Sequence, residues 1–222
     1  IHSSNISPEL TVSFKPRQNL NVFASYRQGF KSGSFNTIVY VSETTRADFG
    51  DEKAEGFEAG MKGLFFDRSL ALNLAAYRYD YSDLQVGASD MGSTGIPVLR
   101  TVNAAGARVQ GLEFEATYSP PVAQGLTLRG AANYNRARYK KFTNAPCANG
   151  QTIAERCNQV FNPVTDLFTA QDLSGRELVR APDWSGNIGM DYEKELGGGK
   201  IFAVGGTATF SSNYYTNLTL RP

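Results

Sequence analysis

The sequence predicts an all-β fold, a transmembrane antiparallel β-barrel to which this chain contributes about eight strands. Apolar and polar residues alternate in eight segments, as in strands whose two faces meet different surroundings. The connections between these segments are short and long in turn. Aromatic residues make up 12% of the chain and glycine occurs 22 times in 222 residues, a composition that favours β-structure rich in turns.

Charge and hydropathy exclude several classes of protein. The net charge is +1, so the strong positive charge expected of a nucleic-acid-binding protein is absent. The chain has no run of about 18 apolar residues, which excludes a transmembrane helix, and its first residues do not resemble a signal peptide. A transmembrane β-barrel stays open, because its strands alternate and never form such runs.

The predicted strands pair as four hairpins. The first hairpin joins ELTVSFK to the strand from Leu20, and the second joins GFEAGMKGLFF to SLALNLAAYRYDYSDLQV. The third runs from about Arg108 to Tyr118 and returns as GLTLRGAANYNRARY, and the fourth begins at Trp184 and resumes at Phe202. In every strand the apolar residues fall on one face and mainly polar residues on the other.

The two faces predict an orientation in the membrane. A lipid-facing arginine near the bilayer midplane costs about 2–4 kcal/mol, so the apolar face should point outward to lipid. The residues expected to face outward are Leu70, Leu72, Leu74, Leu126 and Leu128, and those expected to face the lumen are Asn73, Thr127 and Arg129.

The connection lengths distinguish a barrel from a soluble β-sandwich, whose two ends show no systematic difference in loop length. Four connections are short: Pro16 to Gln18, Asp67 to Arg68, Pro120 to Gln124 and Gly197 to Gly199. The three between them are long: Lys31 to Gly50, Gly87 to Pro97 and Lys140 to Pro182. This alternation is typical of an outer-membrane barrel with short periplasmic turns and long extracellular loops. On this orientation both chain ends are extracellular, so the chain reads as an interior slice of a larger barrel.

The longest connection carries both cysteines and the substrate-contact candidates. Cys147 and Cys157 lie in a polar stretch without CxxC spacing or a nearby histidine, which favours a disulfide over two free thiols or a metal site. The connection also contains aromatic and cationic residues that could stack on a planar ligand or pair with an anionic one. These candidates are Arg156, Phe161, Phe168, Arg176 and Arg180. The alternative is that their side chains only pack against neighbouring loops.

Several segments resemble the barrel region of TonB-dependent outer-membrane receptors. They are YRQGFKSGSFN, EKAEGFEAGMKGLFFDRSLALNLAAYRYDYSDLQV, NAAGARVQGLEFEATYSP and APDWSGNIGMDY, and together they extend from about Leu10 to Phe210. The resemblance implies a barrel of about 22 strands in the outer membrane of a Gram-negative bacterium. It makes residues 1–222 part of a single barrel domain, with the plug domain and the TonB-contacting box upstream of this chain.

The same resemblance implies an active-transport receptor for a scarce nutrient, with an iron–siderophore complex as the default substrate. The implied partners are outer-membrane lipid, the TonB complex and a small-molecule or metal-chelate substrate, without nucleic acid or a resident cofactor. The alternatives are a passive outer-membrane channel and a soluble β-sandwich binding module. We expect no enzyme, because neither a nucleophile elbow nor a phosphate loop nor a zinc spacing is present, and His2 lies in the terminal segment.

Some residues on the predicted lumen face have more than one interpretation. Glu58 and Lys62 are expected to form ion pairs that hold neighbouring strands and a plug. Glu113 and Glu115 lie about 7 Å apart along one strand face, a spacing that also fits a glycosidase carboxylate pair, although solvated lumen carboxylates are the favoured interpretation. Trp184 is predicted to lie in an interfacial girdle rather than to stack on a ligand. Tyr77, Tyr79 and Tyr81 share one strand face and are expected in either the girdle or the lumen.

Overall fold

The computed structural model describes residues 4–36, 48–91, 97–103, 106–147, 150–163 and 166–218. These residues form strands and connections, and they contain no helix long and apolar enough to cross a membrane. The strands are β1 (Glu9–Arg17), β2 (Leu20–Lys31), β3 (Ser34–Phe35), β4 (Asp48–Phe49), β5 (Glu52–Phe65), β6 (Leu70–Ser82), β7 (Gln85–Met91), β8 (Pro97–Asn103), β9 (Gly106–Tyr118), β10 (Leu126–Lys141), β11 (Ala145–Pro146), β12 (Gln159–Asn162), β13 (Leu167–Gln171), β14 (Trp184–Gly197) and β15 (Lys200–Ser211).

Eight of these strands form one antiparallel sheet, which we call the wall. Its order is β1-β2-β5-β6-β9-β10-β14-β15, so each strand pairs with the preceding and following wall strands along the chain. The eight strands are those that the alternation predicts, and the all-β antiparallel fold is confirmed. Short turns join strands at one end of the wall, and the three long connections lie at the other end.

The first short turn falls slightly later than the sequence predicts. The expected turn was Pro16 to Gln18, but β1 continues through Arg17 and the turn is formed by Gln18 and Asn19. The register between β1 and β2 shifts between Phe14 and Arg17. A proline lacks the N–H group that a ladder needs, so Pro16 is accommodated at this irregularity and does not end the strand.

The second long connection contains a hairpin that the alternation does not reveal. We expected the strand from Ser69 to continue to Val86 and an irregular loop from Gly87 to Pro97. Instead, β6 ends at Ser82, Asp83 has a left-handed backbone with φ of 56°, and β7 pairs antiparallel with β8. The left-handed residue turns the chain out of the wall, which explains why one apolar-polar pattern divides into two strands.

The pairing register separates the wall into a polar face and an apolar face. β6 pairs with β5 and β9 without a register shift, so alternation places Asn73 and Leu74 on opposite faces. The polar face carries Asn73, Thr127 and Arg129, and the apolar face carries Leu70, Leu72, Leu74, Leu126 and Leu128, as predicted. Tyr77, Tyr79 and Tyr81 therefore lie on the polar-face side.

The third long connection, residues 142–183, has a fold of its own. Strands β11, β13 and β12 pair in that order as a small antiparallel sheet. Beside it, buried side chains from the upper ends of the wall and from the connections form a hydrophobic cluster, here called the loop core. Its fully buried members among the described residues are Val86, Ala107, Tyr139, Phe142, Ala145, Leu173 and Leu218.

Candidate functional site

The polar face of the wall lines an open cavity of about 540 Å³. The polar part of its lining consists mainly of charged and amide side chains. They are Glu58, Lys62, Asn73, Glu113, Glu115, Asn133 and Asn187, with Phe23 as an aromatic member. Each lies on the polar face of its strand, so the alternation that makes the opposite face apolar also assembles this polar surface.

Ion pairs across neighbouring strands connect the polar face. The guanidinium of Arg27 donates to Glu9 at 2.8 Å and to Glu58 at 3.2 Å, which links three successive wall strands. Glu58 and Lys62 are four residues apart on one strand, about 13 Å by strand rise, so they do not pair with each other. The ammonium of Lys62 instead lies 5.9 Å from the centre of the Phe23 ring. Arg129 pairs with Asp191 further down the wall.

Hydrogen bonds fix further carboxylate and tyrosine side chains on the polar face. The Asn73 amide donates to Glu115 at 3.0 Å, and the Tyr77 hydroxyl donates to Asn135 at 3.1 Å. Gly111 lies opposite Tyr77, and a Cβ atom at this glycine would lie 2.6 Å from the tyrosine hydroxyl oxygen. Glycine at this position therefore leaves room for the Tyr77 ring.

A disulfide joins Cys147 and Cys157 in the long connection, with their Cα atoms 5.7 Å apart. Between them, the backbone N–H of Thr152 donates to the Glu155 carboxylate at 2.9 Å, and the Glu155 N–H donates back to the Thr152 hydroxyl at 3.3 Å. This reciprocal pair closes a compact turn. The disulfide and the turn attach the start of the connection to the small sheet.

The structure brings only some of the predicted substrate-contact residues together. Phe161 and Phe168 pair across β12 and β13 with ring centres 5.4 Å apart in an edge-on arrangement, and half of the Phe161 side chain is exposed. Arg156 is exposed in the turn that precedes β12. Arg176 and Arg180 lie on the returning segment, where the Arg180 N–H donates to the Tyr215 carbonyl at 2.7 Å.

These three arginines share one property that bears on ligand binding. Within the described ranges, Arg156, Arg176 and Arg180 form no ion pair with a carboxylate. Their positive charges are therefore not paired with a carboxylate in the part of the chain that the structure describes. Among the described residues there is also no group of three or more His, Cys, Asp or Glu side chains placed to hold a metal ion.

The anchoring of the long connection is the part of the site that the sequence does not reveal. Arg138 on β10 donates to Asp183 at 3.0 Å and to Glu177 at 3.1 Å, which ties both ends of the returning segment to the wall. The partners are 39 and 45 residues away in sequence, so no local pattern indicates them. Further along, the hydroxyl and N–H groups of Ser174 lower the pKa of the Asp172 carboxyl.

The model for the TonB dependent receptor-like β-barrel family matches residues 2–221. This chain belongs to the TonB-dependent receptor β-barrel family. The resemblance seen in the sequence is thereby confirmed. Members of this family are β-barrel receptors and transporters of the outer membrane of Gram-negative bacteria.

Solved structures of TonB-dependent receptors and related transporters share this fold at low sequence identity. The ferric yersiniabactin uptake receptor FyuA from Yersinia pestis has a TM-score of 0.62 and 16% identity, with 95% of this chain and 26% of that chain covered. The ferric preacinetobactin receptor BauA from Acinetobacter baumannii has a TM-score of 0.60, 17% identity and coverages of 96% and 26%. The copper transporter OprC has a TM-score of 0.63, 13% identity and coverages of 95% and 27%. The chain thus spans about a quarter of their length.

Membership of this family indicates what surrounds each face of the wall. In such barrels the polar side chains line the lumen and the apolar band faces lipid, with aromatic residues at the interfaces. Trp184 fits such an interfacial position, because it lies on the apolar face, is 52% exposed and packs on Tyr134 with ring centres 4.8 Å apart. On the same basis the cavity along the polar face is part of the barrel lumen.

Proposed function

We propose that this chain is part of the single barrel domain of an outer-membrane receptor that takes up an iron–siderophore complex with energy supplied through TonB. The observation that carries this proposal is the long connection, residues 142–183. It is folded, tied by a disulfide and anchored to the wall. It also presents the half-exposed Phe161 ring beside the partly buried Phe168 and, among the described residues, three arginines without ion pairs. Ferric siderophores combine flat, conjugated iron-binding groups with negative charge, which such residues can stack on or pair with.

The proposed mechanism begins with binding at the end of the barrel where the long connections lie. The substrate would meet Phe161, Phe168 and Arg156 first, and the polar lumen face would then provide a hydrated path lined by Glu58, Lys62 and their neighbours. TonB-driven movement of a plug domain would open this path to the periplasm. Neither the plug nor the TonB-contacting segment belongs to residues 1–222 in this proposal, so this chain supplies the wall and a substrate-contacting loop.

The names of the solved relatives support a metal chelate as substrate. FyuA and BauA are named for ferric siderophores, whereas OprC is named for copper. Because their identities to this chain are 13–17%, they support the class of cargo and do not select one compound.

A passive channel is the alternative that differs in energy coupling. A soluble β-sandwich is disfavoured by the apolar face, where Phe57 and Ile188 are each 67% exposed and no second sheet covers them among the described residues. Uptake of radioactive iron by the full-length receptor in cells with and without TonB separates a receptor from a channel. Uptake that persists at the same rate without TonB contradicts the proposal.

The substrate-contact residues are tested by Phe161→Ala together with Phe168→Ala in the full-length receptor. We expect binding of the ferric siderophore that the wild type transports to weaken at least about tenfold, because stacking contacts of this kind contribute about 1–2 kcal/mol. Phe66→Ala is the matched control, since Phe66 is 74% exposed in a short turn at the opposite end of the wall. Unchanged binding by the double variant moves recognition to other loops or to the plug.

Deletion of residues 148–171 is the broader test of the long connection. We expect it to abolish high-affinity uptake while the amount of receptor in the outer membrane stays similar. This deletion also removes Cys157 and the strands β12 and β13, and with them the disulfide and most of the small sheet. The double phenylalanine variant keeps these elements and is therefore the sharper experiment.

A further inference from the structure

The apolar face of the wall changes to a charged surface within one row of paired residues. One row across β5, β6, β9, β10 and β14 contains Ala59, Ala76, Leu112, Tyr134 and Trp184, of which Leu112 is 59% exposed. The next row towards the long connections is aromatic on β2 and β5, where it contains Tyr26 and Phe57. On β6, β9 and β10 the same row contains three polar residues, Arg78, Gln110 and Arg136. All three side chains project from the same face as the apolar row, because each is two residues further along its strand.

The height of this row places it at the edge of the membrane. From Leu70 to Arg78 the strand covers eight residues, about 27 Å along the strand and roughly 20 Å along the axis of a barrel whose strands tilt by about 40°. The apolar band of such barrels is about 25 Å tall and is bounded by aromatic residues. Tyr134 and Trp184 form such an aromatic pair in the row immediately below. Arg78, Gln110 and Arg136 therefore lie at the upper edge of the apolar band, from which long arginine side chains can extend to the lipid headgroups.

The charges in this row are cationic, whereas the row above it is mixed. The upper row contains Glu55, Asp80, Arg108 and Arg138. There, the Asp80 carboxylate forms ion pairs with Arg108 at 2.9 Å and with Lys140 at 3.2 Å. Arg138 forms ion pairs with Glu177 and Asp183.

The two arginines of the lower row have little neutralising charge. Arg78 reaches Asp80 only at 3.8 Å, and its side chain is 56% exposed. Arg136 is exposed and forms no ion pair in the part of the chain that the structure describes. The positive charge nearest to the lipid is thus the charge that the protein itself neutralises least.

We propose that Arg78, Gln110 and Arg136 form a binding site for a phosphate group of the lipid headgroups in the outer leaflet. A guanidinium donates two parallel hydrogen bonds to phosphate oxygens, and the glutamine amide between the two arginines adds a neutral donor. The two arginine backbones are two strand spacings apart, about 10 Å, so long side chains can reach one phosphate from both sides. The exposed Leu112 and Trp184 below them contact the acyl chains of the same lipid.

The site is tested with the full-length receptor in detergent and lipid A, a glycolipid that carries two phosphate groups, as the probe. Wild type should bind lipid A and should bind its enzymatically dephosphorylated form about tenfold or more weakly. The Arg78→Gln and Arg136→Gln double variant should lose about 20-fold in affinity, since each basic residue near an anionic surface contributes a similar share of the attraction. Gln110→Glu should lose about fivefold, because it places a negative charge beside the phosphate. Lys194→Gln is the matched control, because Lys194 is an exposed cation near the short-turn end of the wall, and it should stay within about twofold of wild type.

Three results overturn the proposal. The first is equal binding of lipid A by the double variant and by wild type, and the second is equal binding of the phosphorylated and dephosphorylated forms by wild type. The third is complete displacement of lipid A by millimolar inorganic phosphate, which assigns the site to a free anion. Because both arginines are exposed, their replacement should leave folding intact, and the far-ultraviolet circular dichroism of each variant checks this.

Discussion

The wall and the long connection bury hydrophobic side chains in opposite ways. On the wall, Leu10, Phe57 and Ile188 are each 67% exposed in the isolated chain, and lipid is their proposed partner. In the connection and the strand end that supports it, Phe142 and Leu173 are 4% and 3% exposed and pack against other protein residues. One chain therefore contains a region whose apolar side chains are proposed to contact lipid and a region whose apolar side chains form a protein core.

This difference means that the two regions hold their side chains in place by different interactions. The wall obtains its geometry from ladder hydrogen bonds and alternation, so its polar face is fixed by the same pattern that fixes its apolar face. The connection needs a core, a disulfide and the Arg138 ion pairs to hold the Phe161 and Phe168 rings in place. Replacements in the two regions should therefore produce different kinds of damage.

The largest effect is expected from Phe142→Ala in the loop core. Removal of a buried phenylalanine ring costs about 3–5 kcal/mol, and here the loss should fall on the connection and leave the wall unchanged. Hydrogen exchange of the full-length receptor should show faster exchange in β11 and β13 and unchanged exchange in β5 and β6. Phe161→Ala, which removes an exposed ring, is the control; equal acceleration across the wall would show that the two regions unfold together.

The next effect tests the two faces of the wall with one substitution at adjacent positions. Leu74→Arg places a charge on the apolar face and should cost about 2–4 kcal/mol if this position lies near the bilayer midplane. Asn73→Arg places the same charge on the polar face, where Glu115 is a neighbour, and should be nearly neutral. Urea unfolding of both variants in lipid bilayers measures the difference, and equal destabilisation would contradict the assignment of the faces.

Loss of the disulfide should produce a similar or smaller effect that is confined to the connection. Cys147 and Cys157 are ten residues apart, and opening a loop of this size should cost about 2–3 kcal/mol in the chain-entropy model. The Cys147→Ser and Cys157→Ser double variant should be cleaved faster by protease between β11 and β12 at unchanged outer-membrane abundance. Peptide mapping without reduction tests the bond itself, since recovery of both cysteines as alkylated thiols would exclude it.

The smallest effect is a pH dependence of the connection. Ser174 lowers the pKa of Asp172 below its ordinary value of 3.8, so the folded connection favours the charged carboxylate. The resulting stabilisation is present above pH 3.8 and is lost as the pH falls through the lowered pKa. Protection of the amides near Asp172, expressed relative to the intrinsic exchange rate at each pH, should therefore fall on acidification more in wild type than in Asp172→Asn, and an identical response would contradict this role.

The wall could be predicted from the sequence because its rule is local. Period-two alternation fixes the face of each residue from its neighbours alone, and the register of β6 preserves that rule from Leu70 to Ser82. The β7–β8 hairpin could not be predicted, since the left-handed backbone at Asp83 leaves no mark on the alternation. Pro16 was assigned to a turn because proline usually ends a ladder, yet a register shift absorbs it.

The candidate site could be predicted only in its residue types. Aromatic and cationic residues in a long connection indicated Arg156, Phe161, Phe168, Arg176 and Arg180, and their role in substrate contact stays a prediction. Their division into an aromatic pair on the small sheet and arginines on other segments depends on contacts between residues far apart in sequence. The charged row above Leu112 was also missed, because it uses the same alternate positions as the apolar band.

The unbroken register of β6 has a consequence for how this chain can change in length. Deletion or insertion of one residue between Leu70 and Ser82 would turn every later side chain of that strand to the other face, so Tyr77 would meet lipid and Arg78 the lumen. Only changes of two residues would preserve the faces, and each would still shift all cross-strand partners. The connections carry no such constraint, so new binding surfaces can arise there by length variation while the wall keeps its residue count.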